Sequence, residues 1–235
     1  MRFMSESSSS RPHATVVLAM SADGKISDVT RSNEKFGSAA DFAHLEQQVA
    51  IADGVIVGAG TLRMGDTAMR VISEEWLESR KKEGKPPQPV QIVCTRSGDL
   101  DAGAKFFSQP IPRWLLTTTE GGKRWQNNLG FDRVLTVDGT DGNVDLTEAF
   151  RQLYDLGLRR LAVLGGGTFI AELFRRQLVD ELWLTVCPYI FGGKEAPTPV
   201  DGKGFSSGSF PELKLLDVNP AGEEVFLHYR VERSI

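Results

Sequence analysis

Arg160-Leu-Ala-Val-Leu-Gly-Gly-Gly-Thr-Phe-Ile-Ala-Glu-Leu-Phe174 is the stretch from which the rest of the chain is read. Its apolar run, Leu161 to Leu164, is long enough for a buried strand and stops at Gly165, Gly166 and Gly167. A helical pattern of Phe169, Ile170, Leu173 and Phe174 begins directly afterwards. The order predicts strand, glycine turn, helix. Glycines remove β-carbons from the turn, so the backbone is free to take positive φ and an anionic group can approach the amides. The helix that follows would aim its unpaired N–H groups and its positive dipole end at the same spot, with the Thr168 hydroxyl as a further donor. Two readings fit: a phosphate cradle, or a tight connection with no ligand. The stretch has neither the Gly-Lys-Ser/Thr of a P-loop nor the GxGxxG spacing of a dinucleotide fingerprint.

Outward from this stretch, Val55-Ile-Val-Gly-Ala-Gly-Thr-Leu62 repeats the design: a short buried strand is punctuated by Gly58 and Gly60 and followed by the Thr61 hydroxyl. Two such strand ends in one domain favour a shared dinucleotide cleft. A third strand, Val90 to Cys94, ends in Thr95-Arg96-Ser97-Gly98, a guanidinium with two hydroxyls that suits a phosphate monoester. A turn with an exposed arginine is the competing reading. The first strand, Ala14 to Met20, runs into Ser21-Ala-Asp-Gly-Lys-Ile26 and delivers Met20, Asp23 and Lys25 to a strand end, where open α/β sheets place their sites. An ordinary solvated turn fits there as well.

The intervening segments read as helices and strands in alternation. Ser38 is the expected N-cap of a helix to Ala52, with Phe42, Leu45, Val49 and Ala52 on one face and His44 off it, on the solvated side. Ile72 to Lys85 is helix-compatible, and the prolines of Gly84 to Pro89 make a stiff loop. Strands are expected at Trp114 to Thr118 and Arg133 to Val137, and helices at Glu120 to Asn127 and Asp145 to Leu156, the latter stopped by Gly157. A strand at Leu182 to Val186 and a long loop from Ile190 to Pro211 follow. Strands at Leu213 to Val218 and Val225 to Val231, separated by Asn219 to Gly222, form a terminal hairpin. The fold class is α/β: a mostly parallel central sheet with a C-terminal antiparallel hairpin, flanked by helices.

Composition narrows the classes. A chain of 235 residues, 40% hydrophobic and 25% charged, suits one large α/β domain, and a net charge of -4 gives no reason to expect nucleic acid or an anionic membrane as partner. Cys94 and Cys187 lie inside apolar runs, and three scattered histidines are too few for a metal cluster. A reducing, cytoplasmic setting without a metal is inferred. Residues 1–11 are serine-rich without an apolar core and read as a disordered leader, leaving 12–235 as a single domain.

Taken together, Met20-Ser-Ala-Asp-Gly-Lys-Ile26, Ala52-Asp-Gly-Val-Ile-Val-Gly-Ala-Gly-Thr61, Gly165-Gly-Gly-Thr168 and Leu178-Val-Asp-Glu-Leu182 resemble, in this order, the reductase domain of the riboflavin-biosynthesis deaminase-reductases, which have a dihydrofolate-reductase-like fold. The deaminase zinc motif, H-x-E followed by C-x-x-C, is missing, so the resemblance is to a stand-alone reductase domain. It implies a three-layer αβα fold, a homodimer, and NADPH-dependent reduction of 5-amino-6-(5-phosphoribosylamino)uracil to its ribityl product. Alternatives are an NADPH-dependent reductase of another pterin-like or small carbonyl substrate, and a non-catalytic nucleotide-binding module. By the resemblance, Met20 and Thr61 would line the nicotinamide and ribose. Gly165, Gly166, Gly167, Thr168, Phe169 and Ile170 would hold the pyrophosphate, and Thr95, Arg96 and Ser97 the 2′-phosphate. Asn33, Arg63, Arg70 and Leu164 would meet substrate, and Asp23 or Lys25 would serve in catalysis. Leu164 and Val49 stand where the family tends to carry an acidic and a basic residue.

Overall fold

The computed structural model describes residues 10–32, 36–126 and 130–232. The strands are β1 (His13–Ser21), β2 (Gly54–Gly58), β3 (Val90–Cys94), β4 (Arg113–Thr117), β5 (Arg133–Thr136), β6 (Arg160–Val163), β7 (Glu181–Cys187), β8 (Glu212–Ala221) and β9 (Glu224–Glu232). The helices are α1 (Ala39–Ile51), α2 (Ala59–Gly65), α3 (Glu74–Lys82), α4 (Thr119–Lys123), α5 (Leu146–Asp155) and α6 (Gly167–Arg175). Among the described residues the strands form one sheet in the order β5-β4-β3-β2-β6-β1-β7-β9-β8, parallel from β5 through β7 and antiparallel at β9 and β8.

Three layers follow from alternation along the central strands. Ile56, Ile92 and Val163 face α5 and α6, where Phe150, Leu153, Ile170 and Leu173 close the core. On the other face, Val49 and Ala50 of α1 and Trp76 and Leu77 of α3 cover Val55 and Ala162. Local signals start the helices where the sequence places them. The Ser38 side chain accepts from the amides of Ala40 and Asp41, and the Asp145 side chain accepts from those of Thr147 and Glu148. At the other end of α1, the buried Arg80 guanidinium donates to the carbonyls of Ala50 and Ala52, both at 2.7 Å, occupying acceptors that the helix terminus leaves open.

Four expectations are corrected. Helix α4 stops at Lys123, because Gly121 and Gly122 lie hard against the ends of neighbouring strands: a β-carbon on Gly121 would run into Thr117 Oγ1 and the Arg96 carbonyl. The expected end at Asn127 lies outside the described residues. Strand β8 continues through Pro220 to Ala221, which an edge strand tolerates because one side has no ladder to donate to. His44 is not solvated: its ring packs 4.5 Å from Trp183 and 5.1 Å from Phe226, and burial pushes its pKa down. Arg11 belongs to the folded domain, its guanidinium forking onto both oxygens of Asp180 at 2.8 Å. The rest of the expected leader, up to residue 9, lies outside the described residues.

Candidate active site

The site is built where two neighbours in the sheet reach glycine, β2 at its last residue, Gly58, and β6 two residues past its end, at Gly165. The Gly58 amide donates to the Gly165 carbonyl at 2.9 Å, and the Leu164 amide to Ile56 at 3.1 Å, so the two turns are tied to each other. Each glycine of the triplet is there for its own reason. Gly165 sits at φ +123°, a conformation that L-residues avoid. A β-carbon on Gly167 would strike the Thr198 carbonyl oxygen, because the loop after β7 folds over it and the Asp201 amide bonds to the Gly167 carbonyl at 3.1 Å. A β-carbon on Gly166 would meet only the Thr61 hydroxyl, at 3.2 Å, so this residue presents backbone to open space. The Gly165–Gly166 peptide bond is cis. Helix α6 then starts with Gly166 as N-cap and no side-chain cap bond, which leaves its positive end turned toward that space.

A cavity of about 620 Å³ lies along these strand ends, within the ordinary range of small-ligand sites. Thr61, Arg63, Thr95, Arg96, Gly166, Gly167, Thr168 and Phe169 all line it. The strand ends of β3, β2 and β6 thus share one cleft, as the glycine and arginine motifs led us to expect. The Arg96 carbonyl is pinned by the hydroxyls of Thr118 (2.7 Å) and Thr117 (3.3 Å). Its side chain is exposed and has no hydrogen-bond or ion-pair partner among the described residues. The Arg63 guanidinium instead donates to the Asp99 carbonyl at 2.8 Å.

Other expected site residues are placed elsewhere. Ile170 is fully buried in the core, since a helix turned to put Phe169 at the cleft turns its next residue inward. Gly165 serves the turn, not the cavity wall. Ser97 is exposed beside the cleft, its hydroxyl accepting from the Asp99 amide. Leu164 lines a separate cavity of about 130 Å³ with Val55, Met69 and Thr61. Met20 and Arg70 are half-buried and do not line the main cleft. Asn33 lies outside the described residues.

Asp23 and Lys25 also stand off the cavity wall, and their partners show why. The Asp23 carboxylate accepts from the Ser21 hydroxyl (2.6 Å) and from the amides of Phe191 (3.1 Å) and Gly192 (2.7 Å). The Ser21 bond first, opposed by desolvation and reinforced by the Gly192 and Phe191 amides, holds its pKa below the usual carboxylate range. Its oxygens serve as acceptors in all three bonds. The Lys25 ammonium donates to the Ala196 carbonyl at 3.3 Å. Both residues stitch the loop after β1 to the loop after β7, and the Ile26 amide adds a bond to the Pro197 carbonyl at 2.9 Å. That stitching brings Ile26 and Pro197 to the cleft wall.

Several lining residues went unread in the sequence: Arg31 after β1, Asp141 and Asn143 after β5, Arg176 at the end of α6, and Asp201. Asp141-Gly-Asn143 is a turn signal at a strand end, and equal attention to that strand end would have found it. The Asn143 side chain and amide, with a smaller contribution from Arg176, hold the Asp141 carboxyl below its ordinary value. Asp201 comes from the middle of a long loop whose path no periodicity reveals. Among the described residues no cluster of His, Cys, Asp or Glu could hold a metal ion, and no helix is long and apolar enough to cross a membrane.

Comparison with known proteins adds a second line. The model of the RibD C-terminal domain family matches residues 12–227. A 2,5-diamino-6-ribosylamino-4(3H)-pyrimidinone 5′-phosphate reductase from Archaeoglobus fulgidus is 31% identical over 195 residues, 83% of this chain and 89% of that protein. Among solved structures, a pyrimidine reductase-like protein from Corynebacterium diphtheriae superposes with a TM-score of 0.81 at 22% identity, covering 95% of this chain and 93% of the other. Dihydrofolate reductase from Enterococcus faecalis, solved with NADP(H), gives a TM-score of 0.50 at 13% identity, covering 94% and 99%. The fold is dihydrofolate-reductase-like.

Proposed function

The chain belongs to the RibD C-terminal domain family, and from that premise we propose that it is an NADPH-dependent reductase of a ribosylamino-pyrimidine 5′-phosphate in riboflavin biosynthesis. The observation that carries the cofactor reading is the open face of Gly166 in front of an uncapped helix start. Backbone amides there face a space that a β-carbon would fill, as a pyrophosphate requires. NADPH, when bound, supplies a hydride. The overall change adds that hydride to the first carbon of the sugar and a proton to the ring oxygen as their bond breaks, leaving the ribityl chain.

The protein's own tasks are then positional. Gly166, Gly167 and Thr168 would hold the pyrophosphate, Thr61 would meet the adjoining ribose, and Thr95 with Arg96 would take the 2′-phosphate. The Asp23 carboxylate already accepts three hydrogen bonds and the Lys25 ammonium is turned to the Ala196 carbonyl, which favours water as the proton donor. Asp23 and Lys25 act as positioning residues that keep the loop after β1 against the cleft. The cleft's contribution to rate is to hold the reacting carbons at about 3 to 3.5 Å away from bulk water.

The relative from Archaeoglobus fulgidus is named for the 2,5-diaminopyrimidinone, whereas the motif resemblance pointed to the uracil. The two share the reacting ribosylamine phosphate. Incubating the protein with NADPH and each compound, and following loss of NADPH absorbance, tests the proposal. Turnover of either establishes the reaction class and their ratio ranks them. NADPH binding without turnover would leave a nucleotide-binding module, and turnover of a pterin or simple carbonyl alone would move the substrate class.

Choice of NADPH over NADH falls to Arg96, because the cofactors differ only by a phosphate. Charge-assisted bonds to such a group contribute roughly 1.5 to 3 kcal/mol, so Arg96→Gln should lower NADPH affinity about ten- to a hundredfold and leave NADH nearly unchanged. Equal losses for both cofactors would place Arg96 elsewhere. A cytoplasmic homodimer completes the proposal. Edge strand β8 exposes Leu213 (42%), Leu215 (50%) and Val218 (48%), apolar surface that a second copy would cover. Sedimentation should give twice the monomer mass, and Leu215→Lys should return it to one.

A further inference from the structure

The smaller cavity beside Leu164 has no part in the proposed reaction, and its walls are almost wholly apolar. Val55, Ile92 and Phe106, each 1% exposed, form its floor. Half-buried Val57, Met69 and Leu164 form its sides, and the exposed Thr67 marks a rim open to solvent. Two polar side chains on the wall are already taken. The Gln91 amide group donates to the Met69 carbonyl at 3.1 Å, and the Thr67 hydroxyl donates to the Gly65 carbonyl at 3.3 Å. Thr61 lines both this cavity and the main cleft, so an occupant would lie one side chain away from the cleft.

An apolar void ordinarily shrinks as its lining packs inward, because empty space forfeits dispersion contacts. Here polar bonds hold the outer wall away from the floor. Segment 66–71 supplies Thr67, Ala68 and Met69 to that wall, and it hangs on glutamine side chains from elsewhere in the chain. Gln109 accepts from the Ala68 amide (2.7 Å) and donates to the Ala68 carbonyl (3.2 Å). Gln88 does the same at Val71, at 3.0 and 2.7 Å. Each of these two side chains takes the place of a strand neighbour. Gln91 holds the Met69 carbonyl between them, and the Phe106 amide holds the carbonyl of Asp66 at 2.8 Å. A wall fixed through its backbone does not follow its apolar side chains inward, so the space stays open. Its volume, about 130 Å³, is comparable with an engineered apolar cavity of about 150 Å³ that stays dry and takes up benzene.

We propose that this cavity is a binding site for a single neutral apolar ring of about benzene's size, separate from the cofactor's cleft. Calorimetric titration of the protein with benzene, without NADPH, should show saturable binding of one molecule. Benzoate, a ring of similar size, should bind at least tenfold more weakly, because its carboxylate would be desolvated against apolar walls. Ala68→Leu fills the space from the fixed wall. It should weaken benzene binding at least tenfold and leave NADPH affinity nearly unchanged. Should that variant fail to fold, methyl resonances of the wild type decide: benzene should shift Val57, Met69 and Leu164 first. Heat that does not saturate, benzoate bound as tightly as benzene, undiminished binding in folded Ala68→Leu, or shifts centred on another part of the molecule each overturn the proposal. Benzene binding is read without cofactor, so its outcome is distinct from that of the reductase reading.

Discussion

The turns after β2 and β6 read alike in sequence, yet they spend their glycines differently. In the β6 turn, Gly165 answers to backbone conformation, Gly167 to the Thr198 carbonyl and Gly166 to the open cleft. In the β2 turn, Gly58 makes room for Phe169, whose β-carbon would stand 3.2 Å from an added one, while Gly60 has nothing within 4 Å. Contacts and conformation therefore commit two positions of the β6 turn and one of the β2 turn, and Gly166 is left to the proposed pyrophosphate contact. A glycine's meaning lies in what its missing side chain would meet, which differs even between two turns tied to each other by a hydrogen bond.

Three substitutions break or sharpen this contrast. Gly167→Ala should cost the most, about 3 kcal/mol and roughly 10 °C of Tm, because a backbone carbonyl folded under its own loop cannot swing aside as a side-chain end can. Thermal unfolding followed by circular dichroism measures it, and a wild-type Tm would show that the 198–201 loop yields freely. Next, Gly166→Asp should leave Tm within a few degrees while weakening NADPH binding at least tenfold, or about 1.4 kcal/mol, since it adds bulk and like charge at the proposed pyrophosphate contact. Unchanged affinity in a folded variant would reduce the triplet to a connector. The smallest effect belongs to Gly60→Ala. With no neighbour to meet and a helical backbone, it should gain about 0.5 kcal/mol of stability through a less flexible unfolded chain. A loss comparable to that of Gly167→Ala would erase the difference between the turns.

Much of the site was legible because it sits where strand signals stop. Thr61, Arg96 and Gly166 each follow an apolar run directly, and a parallel sheet carries such positions to one edge whatever the loops do. The misplacements share a cause. Ile170 was read with the turn beside it, but one residue is about 100° of helix, enough to pass from the cleft to the core. Asp23 was read as a catalytic candidate at a strand end, and its three donors include two amides more than 160 residues away. His44 was assigned to solvent by its own helix, yet strands β7 and β9 cover it with Trp183 and Phe226.

By itself the amino-acid sequence determined the strand order and all the helices but α2, the glycine turns after the strands and hence the edge of the sheet where the cleft lies. Those follow from periodicity and backbone chemistry within ten or so residues. Tertiary structure decided which polar groups at that edge remain available. Asp23, Lys25 and Arg63 are bound to backbone from other loops, while Arg96 and Arg31 stay exposed on the cleft wall. The physical reason is that a charged side chain's role depends on whether distant carbonyls and amides reach it first. Those partners come from the loop after β7 and the segment after β3, whose courses are set by packing and not by any local pattern.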